Sequence, residues 1–181
     1  MSYDDEFQAD IQKKCIESVR ELKQEESLFY THDRLIKSIE CRQKNCGSLE
    51  LHTDLNTGLG SFVESSEFHF TDWFSEEPRL VYPFLVSTLG GATCQRDYFV
   101  TKIYCAGPHC DNKQLLCHKL KSSAGVMITD TVVTSGWITS GEYTPEMKGC
   151  PTDHYLIGIE CKGGWCKSIR LKCREIKVRK T

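Results

Sequence analysis

The chain has 181 residues, of which 39% are hydrophobic and 27% charged, with a formal net charge of -2. That length suits one domain with a core of its own, and the nearly neutral charge balance gives no reason to expect nucleic acid as a partner. The 11 cysteines exceed what a reducing cytosol usually permits without metals, so we expect an extracellular or secretory-pathway location.

The N-terminus, "MSYDDEFQAD", has neither the basic start nor the apolar stretch of a secretory signal, so we expect a signal peptide to be lacking or already removed. No run of the sequence approaches the roughly 18 to 20 apolar residues of a membrane-spanning helix. Apolar side chains recur at helical spacing among charged ones at Phe7, Ile11, Cys15, Val19 and Leu22. This pattern predicts an amphipathic helix within an N-terminal segment of residues 1–28.

The predicted helix has two possible uses. Its apolar stripe either packs on the rest of the chain or pairs with a second copy, which would make a homo-oligomer. Cys15 lies on the stripe, so it is either a buried thiol or the site of an intermolecular disulfide. Because the third repeat described below stops early, the N-terminus could instead complete that repeat, which would draw part of residues 1–28 into a strand.

The remaining residues, 29–181, contain an internal repeat. Stretches that begin at Tyr30, Cys94 and Cys150 align over 24 positions without a gap. Both Cys46 to Trp73 and Cys110 to Trp137 then span 27 positions. We therefore predict three repeats, at about residues 30–93, 94–149 and 150–181.

The cysteines of the repeats predict a nested pairing. Repeats 2 and 3 each have four cysteines, whereas repeat 1 keeps the inner two and has Tyr30 and Thr53 at the outer positions. Losing the outer two together is expected if they bond to each other. The predicted outer bonds are Cys94 to Cys117 and Cys150 to Cys173, and the predicted inner bonds are Cys41 to Cys46, Cys105 to Cys110 and Cys161 to Cys166.

Each repeat has the pattern of a β-hairpin. Segments such as "YFVTKIYC" and "YLIGIEC" are rich in β-branched and aromatic residues, and turn formers lie between the inner cysteines in two of the three cases. An outer disulfide closes 24 residues, which contributes roughly 3 kcal/mol by the chain-entropy estimate. An inner disulfide closes so few residues that it mainly fixes the shape of the turn.

We expect no metal, no cofactor and no enzyme activity. Structural zinc needs a full set of ligands in each repeat, and repeat 1 has only two cysteines. The sequence has no C-x-x-C redox motif, no G-x-S-x-G, no H-E-x-x-H and no phosphate-binding glycine loop. The aspartates Asp33, Asp97 and Asp153 are repeat equivalents, which favours a turn-capping role over a calcium ligand.

Two regions are candidate ligand-binding sites. An insertion between Trp73 and Cys94 holds a dense apolar group, formed by Leu80, Val81, Tyr82, Phe84 and Leu85. It is either an exposed loop that enters a membrane or a partner's groove, or an extra strand or arm packed on the core.

The hairpin tips are the second candidate, because they present His109 and Trp165 on tight turns. Aromatic rings in such positions commonly stack on sugars or lie at lipid interfaces. Trp165 could equally fold back on its own sheet. Trp73 and Trp137 follow alternating strands, and we predict that they belong to the core.

The repeat pattern resembles two known families. A tryptophan followed by "CPTDHYL" and the return strand "IRLKC" is similar to the threefold β-prism plan of the vitelline membrane outer layer protein family. The cysteine frame, including "GPHCDNKQLLC", resembles more closely the C-terminal β-pleated domains of apicomplexan perforin-like proteins. The resemblance implies an all-β, pseudo-threefold β-prism that lacks catalytic activity and docks on a membrane lipid or a glycan.

From the residues and the resemblance together we predict a non-catalytic binding module. Its favoured ligand is a membrane surface or lipid reached through the apolar insertion. The alternatives are a lectin-like module that binds glycans through the hairpin tips, and a structural coat or matrix protein that assembles through the N-terminal helix and Cys15. A toxin or enzyme inhibitor is a further alternative, because small disulfide-bonded proteins often have these functions.

Overall fold

The computed structural model describes residues 27–30, 34–42, 46–53, 63–75, 80–81, 85–86, 88–106, 110, 112–120, 126–139 and 146–178. These residues form an almost entirely β structure of sixteen strands, with one short 3-10 turn at Gly164–Cys166. The all-β part of the fold prediction is therefore confirmed. Within these ranges, no helix has the length and apolar character needed to cross a membrane.

Each repeat contributes one antiparallel hairpin. The hairpins are β2 (Ile36–Cys41) with β3 (Leu49–Thr53), β10 (Tyr98–Ala106) with β11 (Asn112–Leu120), and β15 (His154–Lys162) with β16 (Ser168–Val178). Equivalent residues face each other in all three, namely Ile39 and Leu51, Ile103 and Leu115, and Ile159 and Leu171. The β-branched and aromatic segments therefore form strands in the register that the repeat alignment predicts.

The other strands are shorter or connect the hairpins. They are β1 (Ser27–Tyr30), β4 (Val63–Phe70), β5 (Phe74–Ser75), β6 (Leu80–Val81), β7 (Leu85–Val86), β8 (Thr88–Leu89), β9 (Gly91–Thr93), β12 (Val126–Thr134), β13 (Ile138–Thr139) and β14 (Glu146–Gly149). Strand β1 begins inside the predicted N-terminal helical segment, whose last two residues are therefore strand. The rest of that predicted helix lies outside the described residues.

The connecting strands pair across the repeats in a cyclic order. The strand that leads into repeat 1, β1, pairs with β10 of repeat 2. In the same way β9 leads into repeat 2 and pairs with β15 of repeat 3, and β14 leads into repeat 3 and pairs with β2 of repeat 1. Each hairpin is thus extended by a strand from another repeat, and long-range hydrogen bonds hold the repeats together.

The structure contains all five predicted disulfides. The outer bonds join Cys94 to Cys117 and Cys150 to Cys173 at a sequence separation of 23. The inner bonds join Cys41 to Cys46, Cys105 to Cys110 and Cys161 to Cys166 at a separation of 5. The nested pairing is confirmed, and these ten cysteines have no thiolate to offer a metal.

The repeated aspartates lie in tight turns that need an unusual backbone. Asp97 and Asp153 have φ values of 70° and 59°, in the left-handed region that aspartate tolerates better than most residues. Their carbonyls accept hydrogen bonds from Leu120 at 3.0 Å and Ile176 at 2.8 Å. The backbone conformation of the turn thus gives a structural reason for aspartate in both repeats, and Asp33 lies outside the described residues.

Among the described residues the core forms two clusters, and all three repeats contribute equivalent side chains to each. One contains Ile39, Ile103 and Ile159, each fully buried, together with the disulfides. The other contains Leu35, Phe99 and Tyr155, which are also repeat equivalents. Because the side chains of a strand alternate in direction, the residues between these buried positions form an outer face on each sheet.

Candidate functional site

The apolar insertion folds as a two-stranded ribbon. Leu80 pairs with Val86, and Val81 pairs with Leu85, in an antiparallel arrangement. The side chains of these strand residues are outside the description, and Tyr82 and Phe84 lie wholly outside it. The backbone of the ribbon makes a separate two-stranded sheet rather than an added strand on one of the three larger sheets.

The ribbon leaves and rejoins the protein at the sheet of repeat 2. Strand β5 precedes the insertion and β8 follows it, and the two are parallel neighbours, with Phe74 opposite Thr88 and Ser75 opposite Leu89. Phe74 and Ser75 are fully buried. Two paired strands, of which β5 is fully buried, therefore anchor both ends of the apolar segment.

The hairpin tips are only partly described. Trp165 has its backbone in the 3-10 turn between Gly163 and Lys167, with Gly163 at a φ of 74°. That left-handed φ favours glycine over any residue with a Cβ atom. His109 lies outside the described residues. The glycan site predicted at these two tip residues therefore stays a prediction.

The outer face of the repeat 2 sheet carries an aromatic group that the sequence analysis did not identify as a site. We call Phe68, Phe70 and Tyr104 the aromatic face. Phe68 is 52% exposed and Phe70 48% exposed. Their rings meet edge to face at 6.0 Å between centroids, and Phe70 lies 5.8 Å from the ring of Tyr104. Two large apolar side chains thus remain half in solvent on a rigid sheet.

Strand pairing explains why these rings point outward. Phe68 and Phe70 lie opposite His118 and Leu116 of β11. Leu115 and Cys117, the alternate residues of β11, lie in the core cluster with the disulfides, so Leu116 and His118 face the other way. His118 is itself buried, with its Nδ1 2.5 Å from the hydroxyl oxygen of Thr101 and its ring 5.8 Å from Phe68.

An ion pair, formed by Lys119 of β11 and Glu67 of β4, lies on the same sheet as the aromatic face. The ammonium of Lys119 lies 3.1 Å from a carboxylate oxygen of Glu67, the neighbour of Phe68. The hydrogen bond to Glu67 raises the pKa of Lys119 above its ordinary value. Lys119 therefore stays cationic at physiological pH.

The sheet of repeat 3 has a charged outer face, on which Glu160 is the equivalent of Tyr104. We call Glu160, Arg170 and Lys172 the ionic face. Arg170 contacts one carboxylate oxygen of Glu160, and Lys172 lies 3.1 Å from the other. Burial alone would raise the pKa of Glu160, but the hydrogen bonds and charges of its two basic neighbours outweigh burial and lower the pKa below its ordinary value.

Trp137 lies against this ionic face. The Nζ of Lys162 is 4.1 Å and the Cζ of Arg170 is 4.6 Å from the ring centroid of Trp137. Trp73 and Trp137 are each partly exposed rather than buried. The prediction that they belong to the core is wrong, since side chains on the outer face pack against Trp137 while Phe74 and Ile138, one residue later, enter the core.

The sheet of repeat 1 combines carboxylates with a histidine. Glu40, Glu50 and His52 each bring one ligand atom to within 4.8 Å of the others. Arg42 lies 3.5 Å from Glu40 and also contacts Glu50. Among the described residues these three could hold a cation, but the single positive charge of Arg42 already pairs with both carboxylates.

One sequence signal could have found the aromatic face. The segment "SEFHF" alternates, so Phe68 and Phe70 had to share one side of β4. The alternation does not tell which side meets the core, because that depends on the pairing of β4 with β11 of the next repeat.

Comparison with known proteins gives no match for this chain among family models, curated proteins or solved structures. The resemblance to the perforin-like and vitelline membrane families therefore stays a prediction.

Proposed function

We propose that the chain is a non-catalytic binding module that attaches to a membrane surface or lipid through the sheet of repeat 2. The observation that carries the proposal is the pair of half-exposed rings, Phe68 and Phe70. The apolar insertion, residues 80–86, starts and ends at the same sheet. We propose that both belong to one membrane-facing surface, whose apolar area is larger than either part provides alone.

The chemistry of the rings favours a lipid over a polar ligand. Phenylalanine has no hydrogen-bonding group, so it gains only from removing apolar area from water. Full burial of such a side chain contributes roughly 1.5 to 3 kcal/mol, and half-exposed rings have about half of that left to gain. Two rings therefore offer about 2 kcal/mol, or about thirtyfold in affinity, before the insertion contributes.

We also infer that the three sheets form a pseudo-threefold β-prism. The cyclic exchange of β1, β9 and β14 supports this architecture, as do the repeat equivalents that share each core cluster. In that arrangement the aromatic and ionic faces point in different directions, so only one of them can meet a flat surface at a time. The five disulfides are consistent with an extracellular or secretory-pathway setting.

Liposome co-sedimentation tests the lipid proposal. We expect Phe68→Asp/Phe70→Asp to lower binding by at least about thirtyfold, and Phe84→Asp in the insertion to lower it as well. Val132→Asp is the matched control, since Val132 is 43% exposed at the position of repeat 3 equivalent to Phe68. Equal binding by wild type and the double variant would refute the proposal.

A glycan is the second candidate ligand, because edge-to-face rings with a tyrosine ring beside them also suit the apolar face of a sugar. A glycan array separates the two ligands. Glycan binding that the Phe68→Asp/Phe70→Asp variant loses, with no liposome binding by wild type, would identify a lectin-like module. Assembly through the predicted helix and Cys15 stays a prediction, which a non-reducing gel can check through a dimer band.

A further inference from the structure

Four equivalent positions in each hairpin carry a different formal charge in each repeat. They flank the second cysteine of the repeat and the leucine of its return strand. Repeat 1 has Glu40, Arg42, Glu50 and His52 there, repeat 2 has Tyr104, Ala106, Gln114 and Leu116, and repeat 3 has Glu160, Lys162, Arg170 and Lys172. With histidine neutral, the sets carry charges of -1, zero and +2. Repeat 3 thus concentrates positive charge in a chain whose formal net charge is -2.

The one carboxylate of the repeat 3 set does not neutralise its three cations. Arg170 contacts one oxygen of Glu160, and Lys172 lies 3.1 Å from the other. Both oxygens are therefore occupied, and the Nζ of Lys162 lies instead 4.1 Å from the ring centroid of Trp137. We call Lys162, Arg170 and Lys172 the cation cluster. An excess of two positive charges remains there after the pairing with Glu160.

Trp137 restrains two members of the cation cluster. The Nζ of Lys162 and the Cζ of Arg170 lie 4.1 Å and 4.6 Å from the same ring centroid, so the two cations are close neighbours. Long cationic side chains normally lose rotamer freedom when they bind a ligand. Contact with the indole has already removed part of that freedom, while Arg170 stays 37% exposed and Lys172 30% exposed. The cations are therefore both partly preorganised and open to solvent.

We propose that the cation cluster is a binding site for a linear polyanion, and that this ligand is a sulfated polysaccharide. Sulfate has the tetrahedral oxygens of phosphate, to which a guanidinium donates two parallel hydrogen bonds. The lysines add point charges, and a chain with repeated anionic groups meets all three cations at once and releases its condensed counterions. The five disulfides suit an extracellular setting, where polyanions of this kind occur.

The site is independent of the aromatic face. Strands β15 and β16, which carry the cation cluster, belong to one sheet, and β10, β11 and β4 belong to another. A polysaccharide on repeat 3 thus leaves Phe68 and Phe70 free for the ligand of repeat 2.

Biolayer interferometry on immobilised heparin, at rising salt concentration, tests the proposal. We expect Lys162→Gln to weaken binding about fivefold and Lys162→Gln/Lys172→Gln about thirtyfold, each with a smaller salt dependence. Both variants keep the contact of Arg170 with Glu160, and thermal unfolding checks that they fold.

The matched control is Lys177→Gln, which removes the same charge from the same strand. Lys177 lies five residues beyond Lys172 in β16, which is roughly 17 Å along the strand. That separation exceeds the Debye length of about 8 Å at physiological ionic strength, so heparin binding should stay unchanged.

A variant of opposite effect separates ligand binding from a structural role. Glu160→Gln removes the carboxylate that pairs with Arg170 and Lys172, which leaves three uncompensated cations. We expect this variant to bind heparin about fivefold more tightly than wild type. A substitution that only damaged the sheet would weaken binding instead.

Four outcomes would overturn the proposal. They are no binding of wild type to heparin at low salt, equal binding to heparin and to chemically desulfated heparin, and equal losses for Lys162→Gln and Lys177→Gln. The fourth is binding to phosphatidylserine vesicles, but not to heparin, that Lys162→Gln/Lys172→Gln loses, which would assign the cation cluster to a membrane.

Discussion

The sheets of repeats 2 and 3 share a register but have different outer faces. Position 104 is a tyrosine where position 160 is a glutamate, and Phe70 is replaced by Thr134. Both sheets rest on the same core, built from Ile103 and Ile159 and their outer disulfides. In both sheets, therefore, the inward residues form the shared core, and the outward residues determine the chemistry of each face.

This separation explains how one repeat can become a binding surface without loss of the fold. The inward positions of each hairpin are fixed by packing and by the disulfides, and the outward positions are not. Repeat 3 uses some of its outward positions for the ion pairs of Glu160, which stabilise little in water, and Val132 on the same sheet is 43% exposed. Repeat 2 leaves apolar rings exposed, and apolar rings in contact with water are typical of an interaction site.

The largest expected effect tests whether the outer disulfides of repeats 2 and 3 stabilise the protein equally. We expect Cys94→Ala/Cys117→Ala and Cys150→Ala/Cys173→Ala each to lower the free energy of unfolding by about 3 kcal/mol, since each bond closes a loop of equal length. Guanidinium denaturation of the two variants measures both values. A difference above about 1 kcal/mol between the two losses would mean that the outer faces also determine stability.

The pairing of β9, which leads into repeat 2, with β15 of repeat 3 is the next contact to test. A Cβ atom on Gly91 would lie 2.5 Å from the carbonyl oxygen of Ile159 and 2.9 Å from the Cα of Glu160. Gly91→Ala should therefore push β9 away from β15 and destabilise the protein by about 2 kcal/mol. In the matched control, Gly164→Ala, the new Cβ meets nothing within 4 Å. Thermal unfolding of both variants tests this expectation. Equal melting temperatures would contradict the close approach of Gly91 to Ile159 and Glu160.

A pH titration distinguishes the ionic face from the aromatic face. The pKa of Glu160 is lowered in the folded protein. Its contribution to the free energy of unfolding is therefore fully present above the ordinary glutamate pKa, about 4.3. That contribution is lost as the pH falls through the lowered pKa of the folded protein. At pH 7 we expect Glu160→Gln to cost about 1 kcal/mol. Urea denaturation should show that the difference in free energy of unfolding between this variant and wild type shrinks as the pH falls through this range.

The matched substitution on the aromatic face is Phe70→Leu. Its cost arises from ring packing against Phe68 and Tyr104, which involves no group that titrates in acid. The loss in unfolding free energy should therefore be the same at pH 7 and at pH 3. An acid-dependent loss for Phe70→Leu, or a constant one for Glu160→Gln, would remove the electrostatic distinction between the faces.

Local patterns in the sequence were enough to predict the hairpins and disulfides. The cysteines lie at equal spacing in repeats 2 and 3, and a hairpin brings its own two strands together without help from distant residues. The cyclic pairing of β1, β9 and β14 could not be derived this way, because nothing in the sequence of "GAT" or "EMKG" specifies a partner hairpin. For the same reason the alternation at Phe68 and Phe70 revealed a shared side but not its exposure.

The smallest expected effect compares the two tryptophans. Trp137 has the cations of Lys162 and Arg170 near its ring, and the residues of repeat 2 equivalent to these two cations are Ala106 and Gln114, which carry no charge. A double-mutant cycle of Trp137→Leu with Lys162→Met should therefore give a coupling energy of about 0.5 kcal/mol, as expected for a cation at an exposed ring. The parallel cycle of Trp73→Leu with Gln114→Leu removes no cation, so its coupling should fall close to zero. Equal coupling in the two cycles would mean that contact area, rather than charge, holds each tryptophan against the following repeat.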